Sequence, residues 1–138
     1  MIEKQQEQKR YDLFLSGPWE QYSEVPWKSE LKKAFPTKQL YDPEDHQNGD
    51  WFVTNGQAIE RSSSMVVYVP EFPFSGAGLE AGIFYERIRS SWGAKPSPNL
   101  IYLWRDSVQP DWGKEVAKRT GIVVPTLEET IKALQKVM

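Results

Sequence analysis

Residues 64–92 read SMVVYVPEFPFSGAGLEAGIFYERIRSSW, and the parsing of this stretch decides the fold. Residues 65–70 (MVVYVP) are a short apolar, β-rich run, the pattern of a strand buried on both faces of a parallel sheet. Residues 71–78 carry Pro73 and then Gly76-Ala77-Gly78, which let the backbone turn tightly and come close to a ligand. From Leu79 the period becomes helical, with Leu79, Ile83, Phe84 and Ile88 recurring on one face. Glu80 is thereby expected in the first turn of a helix, at the carboxyl end of a sheet strand. In open α/β sheets that crevice is where ligands bind.

The same alternation extends to both sides. Upstream, residues 11–16 (YDLFLS) read as a strand stopped by Gly17-Pro18, and residues 27–35 as a helix with Trp27, Leu31 and Phe35 at helical spacing. Residues 38–41 are a short second strand and residues 42–50 (DPEDHQNGD) a loop. A second helix is expected over residues 51–61, with Phe52, Ala58 and Ile59 inward, and Ser62-Ser63-Ser64 terminating it. Downstream, residues 100–104 (LIYLW) are a buried strand, residues 113–119 a helix and residues 121–124 (GIVV) the last strand. A closing helix carries Thr126 as N-cap with Glu129 three residues later. This predicts an α/β domain over residues 11–138: a doubly wound, five-stranded, mostly parallel sheet with helices on both faces, behind a flexible lead of residues 1–10. The end of the first strand and the end of the 65–70 strand should then lie side by side.

Composition narrows the function. The 138 residues carry 17 Lys+Arg against 19 Asp+Glu, a net charge of −2. That balance argues against a nucleic-acid polymer or a membrane surface as partner. No cysteine is present, which removes disulfides, thiolate nucleophiles and cysteine zinc sites and is compatible with the cytoplasm. Residues 1–10 are too polar for a signal peptide, and no apolar run approaches a membrane span. His46 is the only imidazole and the acids near it lack a metal-ligand spacing, so no metal is expected. Residues 76–81 fit the letters G-x-G-x-x-A of a dinucleotide fingerprint, but five residues separate them from their strand, and an acid in the first helical turn would repel a pyrophosphate. Carboxylate chemistry remains. The helix start would keep Glu80 ionised, and an ionised carboxylate in a water-poor crevice can attack or stabilise an electron-poor sugar carbon. The plainer reading of Glu80 is an acid complementing a helix dipole.

The block YVPEFPFSGAGLEAG, with SGPW at residues 16–19 upstream, resembles the nucleoside 2-deoxyribosyltransferase family. Glu80-Ala81-Gly82 falls where that family carries its nucleophilic glutamate, and Gly17-Pro18 where its early strand ends in a glycine turn. Pro43-Glu44-Asp45-His46-Gln47 is similar to the family's Pro-x-Asp-x-Gln loop, whose glutamine contacts the base. Asn55 falls where members carry Asp or Asn beside the sugar. The resemblance implies a flavodoxin-like fold, no cofactor and a double displacement. In it Glu80 attacks the anomeric carbon of a 2'-deoxynucleoside, the base leaves, and a second base takes the sugar. Trp19 and Trp51 would be aromatic walls for a base, although core or interface packing is an equal use for two of six tryptophans.

The sequence also departs from the family pattern. Phe14 stands where some members have a tyrosine that orients the nucleophile, and Phe74 where some have a base-contacting aspartate. With Asn55 in place of Asp, the proton for the departing base needs another group, and Asp45, Asp50 and Glu71 are candidates. These departures leave two alternatives beside glycosyl transfer: a nucleoside or nucleotide N-glycoside hydrolase, and a non-catalytic nucleotide-binding module on the same fold. Asp111-Trp112-Gly113 is similar to a Trp-Gly turn from which the family projects residues into a neighbouring subunit's site, and with exposed aromatic surface it implies a homo-oligomer.

Overall fold

The computed structural model describes residues 9–47, 49–70, 76–89, 95–105 and 112–138; of Gly76 and Trp112 it describes the backbone only. In chain order the elements are β1 (Tyr11–Ser16), α1 (Trp27–Ala34), β2 (Leu40–Tyr41), α2 (Trp51–Glu60), β3 (Ser62–Val69), α3 (Gly76–Ile88), β4 (Leu100–Trp104), α4 (Trp112–Thr120), β5 (Ile122–Val124) and α5 (Leu127–Gln135). Short 3-10 turns occupy Glu20–Tyr22 and Pro43–Asp45. The strands form one sheet in the order β2-β1-β3-β4-β5, and every pairing is parallel. This is a doubly wound α/β fold, consistent with a flavodoxin-like arrangement.

Alternation along the strands builds two cores. Leu13 and Leu15 of β1, Val66 and Tyr68 of β3, and Ile101 and Leu103 of β4 meet α1 and α5 through Trp27, Leu31 and Leu134. Phe14, Met65, Val67, Val69 and Tyr102 point the other way, onto Ala58 and Ile59 of α2, Ala81, Phe84 and Tyr85 of α3, and Ala117 of α4. Period-two strands sandwiched between helices must be apolar on both faces, and the β3 and β4 sequences satisfy this. Thr126 Oγ1 accepts the Glu129 N–H at 3.1 Å, so α5 starts where its capping signature predicts.

The order reverses at β1, which has β2 on one flank and β3 on the other. The ends of β1 and β3 are therefore adjacent, with Ser16 opposite Val67. That opens a crevice beyond their carboxyl ends.

Several expectations are corrected. Strand β3 begins at Ser62, so the serine triplet belongs to the strand. Ser62 still ends α2, because its hydroxyl donates to the Ala58 carbonyl at 2.7 Å. Helix α3 begins at Gly76 rather than Leu79, and Glu80 is not in its first turn. Phe52, expected inward, is 82 % exposed, and the face expected to join Leu79 and Ile83 with Phe84 is split, with Leu79 67 % and Ile83 45 % exposed and Phe84 buried. The buried stripe of α3 is Ala81, Phe84 and Tyr85, set by contact with the sheet, while Phe52, Leu79 and Ile83 line the crevice. Among the described residues no helix is long and apolar enough to cross a membrane.

Candidate functional site

The crevice holds a cavity of about 760 Å³ between the ends of β1 and β3, the α2 helix and the first turns of α3. Its floor starts at Gly17-Pro18. Gly17 has φ +152°, and a Cβ there would stand 3.0 Å from Trp27 Cζ2 and 3.1 Å from the Tyr68 carbonyl. Both the conformation and the close approach require glycine. The turn brings Ser16, fully buried and on the same sheet face as Phe14, under α3. Its hydroxyl donates to Glu80 Oε1 at 2.7 Å.

Glu80 is partly buried and lines the cavity. Burial pushes its carboxyl above the ordinary glutamate range; the Ser16 hydrogen bond and the charge of Lys28 oppose that rise. The expectation that Glu80 sits at a helix start, where the dipole favours the anion, is thus corrected. The helix starts at Gly76, a turn earlier, and desolvation outweighs the groups that favour the anion. Glu80 Oε2 has no partner among the described residues.

Lys28, in the first turn of α1, is buried and pairs with Asp42 at 2.7 Å and Glu44 at 3.5 Å. Asp42 also accepts from Lys32 at 2.9 Å and from the Glu44 N–H at 3.0 Å. Burial works against the Asp42 anion, yet the hydrogen bonds from Lys28 and Lys32 hold its carboxyl below the ordinary range.

A second polar pair borders the cavity. Tyr41 Oη donates to Asn55 Oδ1 at 2.8 Å. The Tyr41 ring stacks on His46 at 4.3 Å and on Phe14 at 5.3 Å, with the Tyr11 edge at 5.0 Å. Burial, followed by the charges of Tyr11, Glu80 and Asp42, pushes the Tyr41 phenol up to about 12.

Of the residues singled out from sequence, Glu80, Asn55, Gly17, Trp19 and Trp51 come together around the cavity. Phe14 does not; it is fully buried against Tyr41, as a core residue. Gln47 is exposed, and its Nε2 donates to the Glu44 carbonyl at 2.8 Å, a local loop bond away from the cavity wall. Asp45 is exposed and lies 3.7 Å from Lys32, while Asp50 caps α2 through the Val53 N–H. Gly76 is the first residue of α3. Phe74, Glu71 and Asp111 lie outside the described residues. Among the described residues no three potential metal-ligating side chains cluster.

Sequence reading missed Ser16, Tyr41 and Lys28. Ser16 was findable: two residues beyond Phe14 on a strand, it shares that residue's face. Tyr41 and Lys28 reach the site only through the β1–β2 pairing, which no local spacing announces.

No family model matches the sequence, and no curated protein matches it. Among solved structures the chain is similar to the crystal structure of a conserved protein from Enterococcus faecalis V583. The two share 13 % identity with a TM-score of 0.66, over 94 % of this chain and 100 % of that one. At that identity the likeness concerns the fold alone.

Proposed function

We propose that this chain cleaves the N-glycosidic bond of a 2'-deoxynucleoside and transfers the sugar to another nucleobase, with Glu80 as nucleophile. The observation that carries the reading is the Glu80 carboxyl itself. It lies at the topological switch point, partly buried, held through one oxygen by Ser16 with the other unpartnered among the described residues, and walled by Trp19, Trp51 and Asn55. A carboxylate fixed in this way is pre-aimed at a carbon placed above it.

In the proposed reaction, Glu80 Oε2 forms a bond to the anomeric carbon as the bond from that carbon to the base nitrogen breaks. The electron pair of that bond leaves with the base, which takes up a proton, and a deoxyribosyl ester remains on Glu80. A second base then attacks the same carbon, expelling the carboxylate and losing a proton to solvent. Among the described residues Glu60 is the other carboxyl lining the cavity and is the candidate donor for the leaving base. Asp45 and Asp50 are engaged with Lys32 and the α2 cap. Aromatic walls would hold the base by stacking.

The test is a chromatographic assay of 2'-deoxynucleosides with and without a different free base. The expected product is a new nucleoside that forms only with acceptor present. Free base released regardless of acceptor would replace transfer by hydrolysis. No turnover with any pair would overturn the enzymatic reading in favour of a binding module.

A further inference from the structure

We propose that Tyr41 is a positioning residue of this cavity: it binds Oδ1 of Asn55 and so turns the amide to offer Nδ2 to the ligand, selecting a group that accepts a hydrogen bond there. The inference rests on reading the cavity as a nucleoside site only for its choice of test ligand.

Tyr41 is almost wholly buried, clamped on its faces by Phe14 and His46 and on its edge by Tyr11, so its hydroxyl cannot swing to another direction. Burial first, then the neighbouring Tyr11, Glu80 and Asp42, pushes its ionisation up to about 12, so at neutral pH the oxygen carries a proton that must be donated. Asn55 is the only hydrogen-bond partner of that hydroxyl among the described residues. An amide oxygen can take the proton and an amide nitrogen cannot. The opposite orientation of the amide would leave the phenol proton buried without an acceptor, a costly arrangement. The network therefore assigns Oδ1 to Tyr41 and leaves Nδ2, with no partner among the described residues, on the cavity side.

The cavity then offers one oriented donor, Asn55 Nδ2, and one oriented acceptor, Glu80 Oε2. Among the described lining residues the charged groups are Glu60 and Glu80, and no Lys or Arg is present. An anionic acceptor would meet two carboxyls and no cationic side chain among the described lining residues. The group that fits Asn55 is accordingly an uncharged oxygen, such as a sugar hydroxyl or ring oxygen.

The experiment is NMR of the full-length protein without ligand, reading solvent exchange of the two Asn55 Nδ2 protons, followed by titration with a 2'-deoxynucleoside. Both protons are expected to exchange rapidly in the wild type and to stay within about twofold of those rates in Tyr41→Phe, which keeps the ring and its stacking. One slow proton in the wild type that quickens in Tyr41→Phe would show Nδ2 bonded to the phenol and overturn the inference. In the titration, Tyr41→Phe is expected to weaken Kd about tenfold, the effect of one neutral hydrogen bond. In an Asn55→Ala background the same change is expected to cost nothing further. A Tyr41→Phe penalty undiminished by Asn55→Ala would also overturn it. A nucleoside that binds none of the variants or the wild type removes the N-glycoside reading, while proton exchange in the free protein still decides the role of Tyr41.

Discussion

Two carboxyls lie at the same end of the sheet and have opposite fates. Asp42, at the end of β2, accepts from Lys28, Lys32 and the Glu44 N–H and is held below its ordinary range. Glu80, across β1 on α3, accepts from Ser16 alone among the described residues and is pushed above its range by burial. Burial works against the anion at both groups, so burial alone does not separate them. The difference follows from the number of donors that meet each group. A buried charge satisfied on every side is structure; one left with a free oxygen over a cavity is kept for a ligand.

The comparison can be broken in four ways. The largest effect belongs to Glu80→Gln, which keeps shape and the Ser16 contact but not the charge. Turnover should fall by about 10³-fold or more in a single-turnover assay, with the fold intact by circular dichroism. Because the folded-state pKa of Glu80 is raised, its contribution to stability is full below the ordinary glutamate range and is lost as pH rises through the folded value. Glu80→Gln should therefore be the more stable protein at neutral pH, and the gap should close on acidification. Equal stability at every pH would contradict the raised pKa.

Second is Lys28→Met, which fills the space of the lysine stem and leaves Asp42 short of its buried partner. A loss of about 3–5 kcal/mol is expected in urea melts at pH 7. Asp42 has the opposite sign to Glu80: its lowered pKa contributes stability above the ordinary aspartate range, lost as pH falls through the folded value. The Lys28→Met deficit should accordingly shrink in acid.

Third is Ser16→Ala. Removing the Ser16 donor to Glu80 raises its pKa further, so the acid limb of the pH–rate profile should move to higher pH. Activity at neutral pH should drop by about tenfold, the scale of one hydrogen bond to a charged group. An unmoved acid limb would mean that Ser16 does not hold the carboxylate. The smallest effect is that of Lys32→Ala. This lysine is 46 % exposed on its side chain, and Asp42 keeps Lys28 without it. A loss of about 0.5–1 kcal/mol in the same melts is expected.

Most of the scaffold was readable in the sequence because it depends on local signals. Apolar runs such as LIYLW, the Gly17-Pro18 stop and the Thr126 cap need only neighbours a few residues away. The adjacency of the β1 and β3 ends followed from alternation and the rules of parallel sheets. What misled was short-range reading of residues whose neighbours are distant. Gly76-Ala77-Gly78 reads as a turn, yet small residues are also admitted into a helix that packs from Ala77 onward. Leu79 and Ile83 keep helical spacing with Phe84, but spacing cannot tell a core from the rim of a cavity. Ser16 meets Glu80 across 64 residues and Tyr41 meets Asn55 across 14, and both contacts exist only once the sheet is assembled. Gln47 failed in the other direction, since its loop closes on its own Glu44 carbonyl.

The central claim is that Glu80 becomes covalently attached to the sugar. Intact-mass spectrometry of protein quenched during turnover of a 2'-deoxynucleoside, followed by peptide mapping, measures this directly. The account predicts a single deoxyribosyl adduct on the peptide containing Glu80, present in the wild type and absent from Glu80→Gln. Turnover without an adduct, or an adduct that survives in Glu80→Gln, would contradict it.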